Sequence, residues 1–217
     1  MVSELIYSIP ALLIALTIHE FAHGYVSYQL GDPTPKEDGR LSLNPFRHLD
    51  PLGTLSLFLF KFGWAKPVQV NPYYYKNQKR DMVSVALAGP MSNFILAFLS
   101  IFCYYGCLKL VLSYDIILNN FTFSIIDYLM NFFSYLMSYN LGLAIFNLIP
   151  LPPLDGSKLL NAFLPDEVYF NFMRYERYFT PLIFILLFSG LLDTPLSLIN
   201  QAIFDFMSNI SLFIFNL

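Results

Sequence analysis

Charge is scarce in this chain. Asp, Glu, Lys and Arg make up 12% of its 217 residues, about half the share usual in a soluble domain. The net charge of -3 is weak and spread out, which leaves no electrostatic footprint for nucleic acid. Cysteine is nearly absent. Cys103 and Cys107 stand four apart in an apolar stretch, a spacing that excludes a disulfide framework and reads as two small buried hydrophobes on one helix face. The N-terminal apolar run has no basic lead-in, carries Glu4, and meets no small-residue cleavage site before His19, so it reads as a retained membrane helix and not as a signal peptide. No internal repeat or low-complexity tract occurs.

What is plentiful is apolar surface: 56% hydrophobic residues, with 23 Phe and 15 Tyr. A membrane-spanning helix needs about 20 mostly apolar residues, and residues 5–30, 82–112 and 128–149 qualify. Residues 179–192 are a shorter candidate. Residues 196–217 are interrupted by Asn200, Gln201, Asp205 and Asn209, while Ile199, Ile203, Phe206, Ile210 and Phe213 keep helical spacing; this segment either lies in the interface or returns through the bundle with its polar side inward. The expected fold is an all-α polytopic membrane protein, a bundle of about four to six transmembrane helices. A small membrane-surface β-hairpin is expected over 54–70, where Thr, Leu and Phe are followed by Gly63, Val68 and Val70. The whole of 1–217 reads as one membrane-embedded domain, with a core over 5–157 and accessory helices over 158–217.

Eleven of the twelve basic residues fall within 31–81 or among Lys158, Arg174 and Arg177; Lys109 is the exception. Positive-inside reasoning places both regions in the cytoplasm and the N-terminus outside. The C-terminal ends of the first and third helices therefore arrive on the same side.

His19, Glu20 and His23 form H-E-x-x-H at the end of the first helix. Side chains four apart share a helix face, so both imidazoles can reach one metal ion with Glu20 beside them as a base toward water. Ionisable groups inside a membrane helix are costly and usually face a functional interior. A catalytic zinc takes three protein ligands, and the best third candidate is Asp155 in "NLIPLPPLDG". There Pro150, Pro152 and Pro153 stop the helix and extend the chain, and Gly156 permits a tight turn. Alone, Asp155 could equally cap a helix starting near Ser157; the shared depth with His23 favours ligation. In "LAGPMSN", Gly89 and Asn93 are either packing residues or a polar feature aimed into the bundle. His48, by its spacing, reads as a surface-loop residue and not as a cavity residue.

In order, His19-Glu20-x-x-His23, Gly89-x-x-x-Asn93 and Asn147-x-x-Pro150-x-Pro152-x-Leu154-Asp155-Gly156 resemble the three signatures of the site-2 protease family of intramembrane zinc metalloproteases. The resemblance runs from the first helix to Gly156, and "GRLSLNPFRHLDPLGTL" and "GWAKPVQVNP" are similar to segments of its short bacterial and archaeal subgroup. It implies that His19, His23 and Asp155 hold one zinc ion per chain, that Glu20 activates water, and that Asn147 steadies the tetrahedral intermediate; Asn93 is the weaker alternative for that last role. It also implies single-span membrane proteins as substrates; with the topology above, the expectation is a multi-pass protein in the lipid bilayer of a bacterial plasma membrane, its site toward the cytoplasm. Many members carry a PDZ or CBS domain, and these 217 residues have no room for either. The chief rival, a non-catalytic metal-binding membrane protein or transporter, would string ionisable groups along a path through the membrane; here they cluster at one depth and Glu20 is present.

Overall fold

The computed structural model describes residues 2–53, 56, 63–113 and 120–217. Three long helices form the bundle: α1 (Val2–Gln29), α3 (Gln78–Ser113) and α4 (Asn120–Asn147). Between the first two lies a short α2 (Thr34–Glu37). After α4 come α5 (Gly156–Leu159), α6 (Asp166–Arg174), α7 (Glu176–Phe188) and α8 (Asp193–Phe215). Four of these are long and apolar enough to cross a membrane, over Glu4–Gln29, Gln78–Leu112, Phe121–Asn147 and Asp193–Phe215. The protein is accordingly an all-α multi-pass membrane protein. α7 has 13 residues, too few to span.

In lipid there is no hydrophobic gain from hiding apolar side chains, so helices associate through close packing of small residues. Ala11 and Ala15 of α1, Ala86 and Ala97 of α3, and Ala144 of α4 are all at most 1% exposed. The large apolar side chains point outward, among them Ile6, Ile95, Leu99 and Phe121. This overturns the expectation for the cysteines: Cys103 is exposed and Cys107 half-buried, both free. In a span, an apolar position is as well placed against lipid as inside.

α8 runs beside α3 and α4. Its end meets the far end of α3, where the Phe102 and Phe215 ring centroids are 4.7 Å apart. It thus returns through the bundle, but only Ser208 and Ser211 of its polar residues are buried. Gln201, Asp205 and Asn209 lie on the outer surface, so of the two alternatives the sequence left open the helix follows the returning path without the inward polar side.

The expected hairpin over 54–70 falls in its first half outside the described residues. In the second half no strand forms; a single antiparallel bridge joins Leu49 and Ala65. The reason is where the backbone N–H groups go. Val68 N–H donates to Glu20 and Asn71 N–H to Asp32, so this segment is bonded to α1 and the loop after it instead of to a partner strand. Asp32 is fully buried and also accepts from Ser27 Oγ at 2.7 Å and Thr34 N at 3.0 Å, while Tyr75 and Ser27 share a 2.7 Å hydrogen bond. Together these tie residues 67–75 across the end of α1 that carries the histidines. His48 also departs from expectation: it is 1% exposed, its Nε2 donates to Ser42 O at 2.7 Å, and its ring fills the interior of the loop it belongs to.

Candidate metal centre and active site

One helical turn sets the His19 and His23 rings 4.6 Å apart, edge to face. Asp155 comes to the same point from 132 residues beyond His23. Its Oδ2 is 3.2 Å from His19 Nε2 and 3.0 Å from His23 Nε2, and the two Nε2 atoms are 3.1 Å apart. All three residues are buried. Asp155 makes no side-chain cap to α5, so the capping role that the sequence left open is not taken. Gly156 is required beside it: a Cβ there would stand 2.3 Å from Leu148 O.

The other ring nitrogens fix what the Nε2 atoms present. His23 Nδ1 donates to Val85 O at 2.7 Å. His19 Nδ1 lies 2.6 Å from Asn93 Oδ1. The Asn93 amide donates to Ala15 O at 3.1 Å and to Asn140 Oδ1 at 2.6 Å, which identifies Oδ1 as the acceptor and His19 Nδ1 as the donor. Neutral imidazoles in these tautomers aim two lone pairs at a carboxylate oxygen. Such a triangle is repulsive unless a cation, a proton or a metal ion, sits among them. A tetrahedral zinc with bonds of about 2.0–2.1 Å separates its ligand atoms by about 3.3 Å, close to the 3.0–3.2 Å found here. Two nitrogens and one oxygen, with a fourth position open, fit a catalytic zinc. Lys158 Nζ donates to Asp155 Oδ1 at 3.2 Å. Burial pushes the Asp155 carboxyl up, but a proton held between the imidazole Nε2 atoms and Oδ2, with the positive charges at His23 and Lys158, outweighs it and holds it below the usual carboxylate range.

Space for the imidazoles comes from Gly89. A Cβ at that position would lie 2.3 Å from His23 Nε2 and 2.7 Å from His19 Cε1, so α3 can approach α1 here only with glycine.

A cavity of about 140 Å³ opens at the triangle. Glu20, Asn147 and Lys158 line it beside the three ligand candidates, and Pro67, Val68 and Val70 close one side. Glu20 is 9% exposed and its Oε2 accepts from Val68 N at 2.9 Å. The Asn147 amide nitrogen is turned back to Leu143 O at 2.9 Å. Asn93 stands behind His19, outside the cavity lining, with both amide hydrogens engaged; it orients an imidazole and has no hydrogen left for an oxyanion.

The profile of Peptidase family M50 matches residues 7–189, a stretch that takes in every residue of this site. The chain belongs to that family. It is 41% identical over 172 residues to YwhC of Bacillus subtilis, named as a zinc metalloprotease, which covers 79% of this chain and 75% of YwhC. It is 30% identical over 161 residues to Rip2 of Mycobacterium tuberculosis, also named as a zinc metalloprotease, covering 71% of this chain and 56% of Rip2. No solved structure matches the chain. Family membership makes this membrane protein a zinc metalloprotease.

Sequence reasoning missed four contributors. Asn140 holds Asn93, the Val85 carbonyl sets the His23 tautomer, Lys158 braces Asp155, and the Val68 N–H holds Glu20. Lys158, three residues after Asp155, had a readable spacing. The two backbone groups had none, because a carbonyl or an N–H leaves no mark in the residue letters.

Proposed function

We propose that this chain hydrolyses peptide bonds in the transmembrane segments of single-span, membrane-anchored proteins, at the cytoplasmic edge of a bacterial plasma membrane, with His19, His23 and Asp155 as the zinc ligands and Glu20 as the general base. The observation that carries this reading is the 3.0–3.2 Å convergence of two imidazoles and a carboxylate in one cavity with a glutamate. Bound zinc supplies Lewis acidity at neutral pH, toward water and toward the scissile carbonyl.

The chain's own residues do the rest. Glu20 accepts a proton from the attacking water and returns it to the leaving amine. Val68 N–H engages one of its oxygens, and the other carries the proton. Asn147 lines the same cavity, and its amide, released from Leu143 O, donates to the developing oxyanion, a bond worth about 3 kcal/mol. A substrate helix must unwind to reach this depth. The segment 67–70 at the cavity edge is suited to hold the unwound strand by main-chain pairing. The cytoplasmic orientation rests on the sequence, in which eleven of the twelve basic residues fall within 31–81 or among Lys158, Arg174 and Arg177, the stretches that follow the first and third long helices.

Co-expression of the wild type and Glu20→Gln with a panel of tagged single-span proteins tests the reading. A shortened fragment is expected with the wild type alone. Equal cleavage by both forms refutes the mechanism.

A further inference from the structure

α8 buries two of its serines and exposes most of its larger polar residues. Ser208 and Ser211 are 5% and 0% exposed, whereas Ser197, Gln201, Asp205 and Asn209 lie on the outer surface. Their spacing of four keeps them on one face. A polar stripe therefore runs down a helix that is long and apolar enough to cross a membrane. Asp205 stands one residue from the midpoint of Asp193–Phe215, the depth at which a bilayer tolerates a carboxylate least. Among the described residues its hydrogen-bond partner is the Gln201 amide, at 2.7 Å, and no basic side chain pairs with it.

Beside the stripe, a groove of about 360 Å³ lies between α4 and α8. Ser138, Ser197, Asn200 and Gln201 line it together with Leu141 and Phe204. None of them lines the cavity at His19. The groove's hydroxyls and amides both donate and accept, but Asp205 only accepts when ionised. What this face lacks is a cation. The helices that flank this face offer none: from Asp81 to Ser157 and from Tyr178 onward the single basic residue is Lys109, which bonds Asn216 O at the far end of α3. A second copy would set Asp205 against Asp205, the wrong charge.

We infer that the outer face of α8 is a docking surface for a transmembrane helix of another protein bearing Lys or Arg near mid-span, the basic group pairing with Asp205 while its neighbours enter the groove between α4 and α8. The inference rests on charge and depth and does not require the protease reading.

The test places the full-length protein, carrying a donor dye, in phosphatidylcholine vesicles with acceptor-labelled designed single-span peptides of Leu and Ala. One peptide has a central Lys and its control a central Leu. Energy transfer should show the Lys peptide binding roughly ten-fold more tightly than the control. Asp205→Leu, which puts an apolar side chain where lipid now meets a carboxylate, should erase that difference, as should the isosteric Asp205→Asn. Equal binding of both peptides to the wild type overturns the inference, as does a preference that survives in both variants. Transfer between two labelled wild-type copies that disappears in Asp205→Leu would identify a second copy as the occupant and overturn it too.

Discussion

The backbone N–H of Val68 donates to Oε2 of Glu20 at 2.9 Å, across a separation of 48 residues. The candidate base is therefore held by the segment that forms one wall of its own cavity. That segment is held in turn by Arg40, which is 4% exposed and donates from Nη2 to the Lys66 carbonyl. Burial lowers the Arg40 guanidinium from its ordinary value while the charges of Glu20 and Asp38 oppose the shift, and arginine stays protonated in any case. Arg40→Gln should loosen Lys66, then Val68, then Glu20. Cleavage of a single-span protein that the wild type cuts should fall roughly ten- to hundred-fold in kcat, with zinc content unchanged by metal analysis. Arg40→Lys should restore only part, because an ammonium lacks the planar fork. Loss of zinc in Arg40→Gln would show a fold defect instead. Val68→Pro deletes the same N–H, so its effect on cleavage reports the anchoring of Glu20 as well as any pairing with substrate.

Glu20 itself separates chemistry from metal binding. It lines the cavity but is not one of the three converging ligand atoms. Glu20→Gln keeps the shape and the Val68 bond while losing basicity. It should retain about one zinc per chain and lose at least about a hundred-fold in kcat. His23→Ala should lose both. A zinc-free Glu20→Gln protein would place the glutamate among the ligands.

The residues of the candidate site were legible because the chemistry proposed for them imposes a spacing. Two histidines four apart announce a shared helix face, and prolines around Asp155 announce backbone that is not helical. Three of the four spans were equally plain, since length and apolarity suffice. Harder were questions of which side faces in. Helical periodicity shows that α8 has a polar face, yet Gln201 and Asp205 face out while Ser208 and Ser211 face in, and no period encodes that choice. Cys103 was misplaced for the same reason. The strand pattern of 63–70 was real in its residue types, but Lys66, Val68 and Asn71 spend their N–H groups on His48 O, Glu20 and Asp32, partners that strand propensity cannot foresee.

Asn93 and Gly89 make opposite predictions at one site. Asn93 Oδ1 fixes the His19 tautomer, so Asn93→Ala should weaken zinc binding about ten- to hundred-fold while leaving the ligands in place. Titration of the metal-stripped protein with zinc measures this, and added zinc should rescue the variant. Gly89→Ala puts a methyl 2.3 Å from His23 Nε2, within the triangle itself. Excess zinc should not rescue it. Rescue of both, or of neither, would contradict the separate tasks assigned to them.

Asp32 gives a pH test outside the membrane spans and away from the metal ligands. Burial pushes its carboxyl up, but bonds from Thr34, Asn71 and Ser27 outweigh that and hold it below the ordinary 3.8. Folding thus favours the ionised form. The resulting stabilisation is complete above the unfolded value near 3.8 and is lost as pH falls through the lower folded value. Removing one partner from a buried, charged hydrogen-bond network costs about 2–4 kcal/mol, so Asp32→Asn should unfold well below the wild type at about pH 7 and by the same margin at about pH 5. The margin should narrow as the pH drops under the ordinary carboxylate value, because the wild type then becomes the protonated, poorer acceptor. Thermal unfolding of both proteins in detergent micelles, followed across that range, measures it. A margin that stays constant into strong acid, or widens there, would mean that the ionised carboxylate is not what ties residues 67–75 to the end of α1.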